Sequence, residues 1–217
     1  MFFIGIDINM VEAPKKRGRP RTLDRNVGLD VAARLFWEHG YEGTSIADLT
    51  AAMGVTPPSL YATFGSKQEL YCKALDHAVE RESKARMDAL NSGLSAYEAL
   101  SFYLHDVATG ISRPDDPRGC IVSTAVVQCA AENEPVAKSM TARREAAIKA
   151  IRERFDRAIS EGDLAVGTDT ESLARFYGAF VQGMSVQACD GACTQRLKRL
   201  VDIALSAWPG KRSKKGR

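Results

Sequence analysis

The chain has little with which to do chemistry on a metal or a phosphate. Its three histidines, His39, His77 and His105, are scattered over 217 residues, so no pair stands at the spacing of a metal site. A glycine-rich phosphate cradle is missing, and so is a Gly-x-Ser-x-Gly nucleophile elbow. An enzyme reading is left without material, and no catalytic residue, metal or cofactor is assigned. No run approaches the roughly 18 apolar residues that span a membrane, so no membrane partner is expected. The apolar start, residues 1–6, lacks a basic front and is broken by Asp7, unlike a secretory signal. Five cysteines, Cys72, Cys120, Cys129, Cys189 and Cys193, are odd in number and irregularly spaced. That usage fits a reducing cytoplasm better than a disulfide framework. Cys189 and Cys193 stand four apart, but two thiols beside Gly191 do not complete a zinc site. Alternation of period two is absent as well, so the expected fold is all-α.

What is present is an ordinary globular composition, 45% apolar and 26% charged, long enough for one small module and a larger core domain. The net charge of +3 conceals an asymmetry: residues 1–23 carry +3 and residues 211–217 carry +5, which leaves the stretch between them at −5. Both tails are basic and the body is acidic.

Residues 44–70 carry the densest local signals. Thr44 or Ser45 can cap a helix in which Ile46, Leu49 and Met53 fall at i, i+3 and i+7 as one buried stripe. Gly54 stops it by tolerating a left-handed backbone. Thr56 caps the next helix, with Pro57 at the first helical position, where the missing N–H costs nothing. Leu60 and Phe64 bury the inner face and leave Pro57, Ser59, Ala62 and Thr63 outward. Ser66 and Glu69 then form a capping box that opens a third helix. Upstream, Val27, Val31 and Leu35, with Ala32 and Phe36, make a supporting helix over 24–39 that Gly40 ends. A glycine-turned helix pair of this kind presents one helix end to the DNA major groove.

The run Gly40-Tyr41, Thr44, Ile46, Gly54-Val55, Leu60-Tyr61, Phe64, Ser66-Lys67 and Glu69-Leu70 resembles the DNA-binding domain of the TetR family of bacterial transcriptional repressors, over residues 22–72. The resemblance implies that Thr44, Tyr61 and Lys67 touch phosphates while Pro57, Ser59, Ala62 and Thr63 face bases; Thr56, which opens the reading helix, is counted with them. Pro57-Pro58 departs from the polar and small residues more usual there. With Ala62 also apolar, base readout leans on thymine-methyl contact and the hydroxyls of Ser59 and Thr63. The family further implies a homodimer on a palindromic operator, with half-sites one helical turn or a multiple apart. It also implies a small-molecule effector that enters residues 66–160 and shifts the helix beginning at Ser66.

Within residues 24–70 only Arg25, Arg34 and Lys67 oppose six carboxylates. The arm Lys15-Lys16-Arg17-Gly18-Arg19-Pro20-Arg21 is expected to supply the missing attraction. Arg-Gly-Arg-Pro is the core of an AT-hook: glycine lets an extended backbone lie on the groove floor, proline keeps it extended, and Arg17, Arg19 and Arg21 meet a narrow, strongly negative minor groove. The plainer reading is a solvated tail that only adds charge. The C-terminal run lacks the motif and reads as a solubilising tail.

Beyond Leu70 helices are expected over 66–90, 95–109 (opened by the Ser95/Glu98 box), 119–132 (apolar and cysteine-bearing) and from Pro135 onward, where Ile148, Ile151, Phe155 and Ile159 share a face. Two further helices follow the i, i+3, i+4, i+7 pattern. Their Phe176, Phe180, Met184, Leu197, Leu200, Val201, Leu205 and Trp208 are expected in a two-fold dimer interface, with Ala174, Gly178 and Ser185 permitting close crossing. The alternative is that they pack on their own domain. Candidate effector-pocket residues are Met87, Phe102, Tyr103, Cys120, Thr124, Val127, Phe155 and Tyr177, each of which could equally be core. Cys120 follows Arg118 at an expected helix N-terminus, where dipoles and a cation lower a thiol pKa; electrophile or oxidant sensing through Cys120 is therefore an alternative. An architectural protein covering AT-rich DNA is an alternative of another class. The expected organisation is an arm (1–21), a helix-turn-helix DNA-binding domain (22–70), an effector-binding and dimerisation domain (71–210) and a basic tail (211–217).

Overall fold

The computed structural model describes residues 24–211; Arg17, Arg19 and Arg21 of the arm, and the tail from residue 212, lie outside the described residues. Helix α1 (Arg25–Gly43) starts where the Asp24 carboxylate accepts from the Asn26 and Val27 N–H groups. Its winding breaks at Gly40, whose φ of 73° belongs to the left-handed region. Of the two candidate caps for α2 (Ile46–Met53), Ser45 takes the role, in a capping box with Asp48. Gly54 ends α2 at φ 66°, α3 (Pro57–Phe64) follows, and Ser66 and Glu69 box the start of α4 (Lys67–Asn91). The second expected box, Ser95 with Glu98, opens α5 (Ala96–Gly110). Then come a 3-10 turn (Ala131–Asn133), α6 (Glu134–Ser160), α7 (Thr170–Cys189) and α8 (Thr194–Ser206). Among the described residues there is no strand, and no helix is long and apolar enough to cross a membrane.

Two cores form. The first gathers Phe36, Leu49, Leu60, Phe64, Leu70 and Tyr71 of α1–α4 and reaches downstream to Ile121, Val136 and Met140. The stripe expected on α1 is shifted: Ala32 and Phe36 are buried and Val31 and Leu35 half-buried, but Val27 is 55% exposed and Leu29 and Ala33 take the inner face in its place. The second joins Leu100 and Leu104 of α5, Ile151 and Phe155 of α6, Tyr177 of α7 and Leu197 and Val201 of α8. Helix α4 serves both, giving Leu70 to Leu75 to the first and Leu90 to the second.

The helix expected over 119–132 does not form; residues 111–130 run as successive turns. Gly119 (φ 87°) and Val126 (φ 47°) adopt left-handed backbone that an α-helix cannot contain. Five of the residues there, Ile121, Val122, Thr124, Val126 and Val127, are β-branched and gain little from winding. Bonds from outside replace the missing helical ones: Arg144 Nη1 donates to the Val122 and Ala125 carbonyls at 3.2 and 3.0 Å.

Helices α7 and α8 also depart from expectation. Met184, Leu197, Val201, Leu205 and Trp208 are buried within this single chain, because α8 turns its one strongly apolar face toward α5 and α7. Trp208 packs against Phe155 at 5.3 Å between ring centroids. Of the expected interface, Phe176 (46% exposed) and Leu200 stay outside and Phe180 is half-buried. Val186 and Ile203 (68% exposed) stand outside with them. Gly178 does permit a close crossing, but an internal one: a Cβ there would stand 2.7 Å from Ile148 Cγ1 on α6. Ala174 and Ser185 are likewise buried within the chain.

Candidate nucleic-acid interface and internal cavity

Helix α3 shows one face to solvent. Pro57, Pro58, Ser59 and Ala62 are exposed, Thr63 is half-buried and Tyr61 is 47% exposed, while Leu60 and Phe64 are fully buried beneath them. Thr56 occupies the N-cap position but its side chain makes no capping bond; its hydroxyl pairs with that of Ser59 at 3.1 Å. The Thr63 hydroxyl donates to its own helix, to the Ser59 carbonyl at 2.8 Å. Lys67, at the start of α4, holds its ammonium 4.5 Å from the centre of the Tyr41 ring. Partial burial lowers its pKa, with the Glu42 carboxylate pulling the other way. Tyr61, exposed on α3, and Lys67, half-buried at the start of α4, both remain open to solvent.

Thr44 does not join them. It is fully buried, and its hydroxyl donates to the Gly40 and Leu35 carbonyls at 2.8 and 3.2 Å. The side chain therefore pins the kinked end of α1 and is turned away from any phosphate.

Behind this unit lies a cavity of about 140 Å³. Val79, Glu82, Ser83, Arg86 and Met87 of α4 form one wall, Tyr103 and Val107 of α5 another. Arg143, Arg144, Ile148 and Ile151 of α6, Gly178 and Val181 of α7, and Cys120 to Ser123 of the turn segment complete it. Cavities of about 150 Å³ with apolar walls admit a benzene-sized molecule. Of the candidate pocket residues, Met87, Tyr103 and Cys120 line it. Phe102 and Val127 (71% exposed) are on the surface, and Phe155 and Tyr177 are core side chains packed edge to face. Thr124 is half-buried outside the lining, its hydroxyl bonded to the Cys120 carbonyl. Five of the eight candidates therefore lie off the lining: Thr124 and Val127 belong to the helix that does not form, and Phe102, Phe155 and Tyr177 sit on α5, α6 and α7, where helical spacing does not tell which face turns to the cavity.

The cavity's polar groups are largely committed. Arg86 Nε donates to Asp106 at 2.6 Å, and Arg143 pairs with Asp76 while its Nε is buried without a partner. Burial raises the pKa of Glu82, opposed by the guanidinium groups of Arg86 and Arg113. Burial also pushes the Tyr103 hydroxyl up to about 12, with Arg86 opposing and the Cys120 thiol adding to the rise. Without a helix, Cys120 has no helix N-terminus behind it. The thiol so placed is Cys193, at the N-cap position of α8, where its side chain makes no capping bond but the neighbouring Arg196 and Gln195 N–H groups, helped by the Arg196 charge, lower its pKa. Cys189 ends α7, so the two thiols do not share a helix face. Among the described residues no three His, Cys, Asp or Glu side chains converge as a metal site.

Residues 29–73 match the family model described as "Bacterial regulatory proteins, tetR family", and residues 96–206 match "Tetracyclin repressor-like, C-terminal domain". Over 196 residues the chain is 32% identical to the HTH-type transcriptional repressor ComR of Escherichia coli K12, covering 90% of this chain and 93% of that one. It is 27% identical over 190 residues to the uncharacterized HTH-type transcriptional regulator YezE of Bacillus subtilis, covering 87% and 98%. A solved cysteine mutant of the TetR family transcriptional regulator CifR, complexed with 26-base-pair operator DNA, superposes with a TM-score of 0.84 at 43% identity, over 88% of this chain and all of that one.

Proposed function

Since the chain belongs to the TetR family of bacterial transcriptional regulators, we propose that it represses transcription as a homodimer on a palindromic operator and leaves it when a small molecule fills the internal cavity. One observation carries the reading: a single helix, α4, closes the DNA-reading unit at Ser66 and walls the cavity from Val79 to Met87. A ligand that prefers the cavity in the DNA-incompetent state draws the population away from the operator. The exposed apolar side chains Phe176, Val186, Leu200 and Ile203 on α7 and α8 form the dimer face, and the work is done in the cytoplasm. Tyr61 and Lys67 hold phosphates, Ser59, Ala62 and Thr63 face bases, and the arm's Arg17, Arg19 and Arg21 add minor-groove contact.

The cavity's dimensions favour a mostly apolar effector about the size of a substituted benzene. Because Cys120 lines the cavity beside Tyr103, a second reading has the effector bond covalently to that thiol. Footprinting on a site selected from random DNA tests the first reading: a symmetric protected region of about 15 to 30 base pairs is expected. Sequence-independent coverage of AT-rich DNA would instead establish the architectural class. Thermal-shift screening of benzene-sized fragments and small electrophiles, against wild type and Cys120→Ser, separates reversible from covalent effectors.

A further inference from the structure

The turn segment between α5 and α6 has two faces. Cys120 to Ser123 wall the cavity, yet Ile121 is buried in the core of the DNA-reading unit, with Val122, Ala125 and Val126 packed against that same core. Both ends of the segment are fastened to α1. Near its start, Arg34 Nη1 donates to the Asp115 carbonyl at 3.2 Å. At its end, one carboxylate oxygen of Glu42 accepts the Ala130 N–H at 2.9 Å and the Asn133 side-chain amide at 2.6 Å. Those two bonds are also the main reasons why the Glu42 pKa is lowered. Glu42 lies in the short turn after the Gly40 break, next to Tyr41, whose ring carries the Lys67 ammonium. In the middle, Val126 sits at φ 47°, a conformation that costs a β-branched residue free energy and persists only while its surroundings enforce it.

We propose that this segment is a direct coupling strap between cavity and DNA-reading unit, with Glu42 as the positioning residue that receives its movement, in addition to any tilt of α4. The proposal rests on the cavity being the effector site. An occupant large enough to displace Ile121 or Val122 cannot do so without disturbing the first core, because the same side chains serve both. The strap has no helical ladder of its own to absorb the displacement. Its load passes to the bonds at residues 130 and 133, and through Glu42 to the turn that sets Tyr41 and Lys67. Arg144, by holding the Val122 and Ala125 carbonyls, ties the same segment to α6. Released from that grip, Val126 can relax to ordinary backbone, so the strap has two states that an occupant can bias.

The test uses the full chain carrying Cys72→Ser, Cys129→Ser, Cys189→Ser and Cys193→Ser, with methyl methanethiosulfonate as the probe. The Cys120 thiol attacks the probe's sulfenyl sulfur, forming a methyl disulfide and releasing methanesulfinic acid, so modification adds a methylthio group to the cavity wall and is counted by mass. The modified chain should lose at least tenfold in affinity for the selected operator and exchange its amide hydrogens faster at residues 40–44. Glu42→Ala and Asn133→Ala, modified to the same extent, should lose less than threefold. Glu42→Gln, which keeps an acceptor oxygen, should retain most of the coupling. Equal losses in the alanine variants and the parent would overturn the strap. So would complete modification without faster exchange at residues 40–44. Failure of every small fragment to raise the melting temperature would count separately, against the cavity as effector site.

Discussion

Replacing Thr44 by valine separates two roles that sequence patterning merges. The methyl groups of valine fill the space of threonine, so no cavity opens, but the hydroxyl that bonds the Gly40 and Leu35 carbonyls at 2.8 and 3.2 Å is gone. A fully buried site then loses its only hydroxyl, and two part-buried carbonyls lose the donor they share. Leaving such groups unpaired costs about 1–3 kcal/mol, and in a chain of this size each kcal/mol lowers the melting point by roughly 2–4 °C. The midpoint of thermal unfolding followed by circular dichroism should therefore fall by about 2–12 °C. Operator affinity measured well below that transition should change little, with the same dependence on salt. Thr44→Ser retains the hydroxyl and should melt close to wild type. The reasoning is refuted if Thr44→Val melts like wild type but binds operator weakly with a shallower salt slope, which is the signature of a lost phosphate contact.

Lys67→Met should leave melting nearly unchanged while reducing the slope of log affinity against log salt by about 1.8 for a dimer, at roughly 0.9 per phosphate; an unchanged slope places Lys67 away from the DNA backbone. Leu197→Ala empties part of the second core and should cost about 2–5 kcal/mol, whereas Ile203→Asp should keep the fold and shift sedimentation toward the monomer. A dimer surviving Ile203→Asp would move the interface elsewhere. Glu82 is held above its ordinary pKa by burial, so the folded state keeps a proton that the unfolded state gives up. Wild-type stability is then lost as pH rises from the ordinary Glu value through the raised one. Glu82→Gln should gain in melting temperature over wild type across that window, and a gain that shrinks with rising pH would contradict the assignment.

Where a structure is written in short-range chemistry, it was legible. The boxes at Ser66/Glu69 and Ser95/Glu98, the left-handed stop at Gly54 and the proline start of α3 each depend on residues within four positions of one another. The turn segment was not legible, because its partners are remote: Glu42 is 88 positions from Ala130 and Arg144 is 22 from Val122. An apolar run of valines, isoleucine and cysteines fits a buried helix and a buried strap equally well. Helices α7 and α8 failed differently. Tyr177 is fully buried while its neighbour Phe176 is 46% exposed, so α7 is apolar on two faces. Helical spacing identifies both faces and says nothing about which one the chain keeps for itself. The same limit separated Thr44 from Tyr61: family position implies a common role, but only the fold reveals which hydroxyl is already spoken for.

The outward residues of α3 have a consequence for how such a protein diversifies. Ser59 and Ala62 are exposed while Leu60 and Phe64 alone anchor the helix from below, so changes at the outer positions fall among surface substitutions that usually move stability by no more than about 0.5 kcal/mol. After gene duplication, a copy could drift to a new operator through these sites without first acquiring compensating mutations. The cavity offers no such latitude, since Ile121 and Gly178 answer to helix packing as well as to any ligand. On the proposed reading, in which these positions face bases and the cavity takes the effector, operator preference is the trait free to change quickly across descendants, and the inducing molecule the one that holds lineages together.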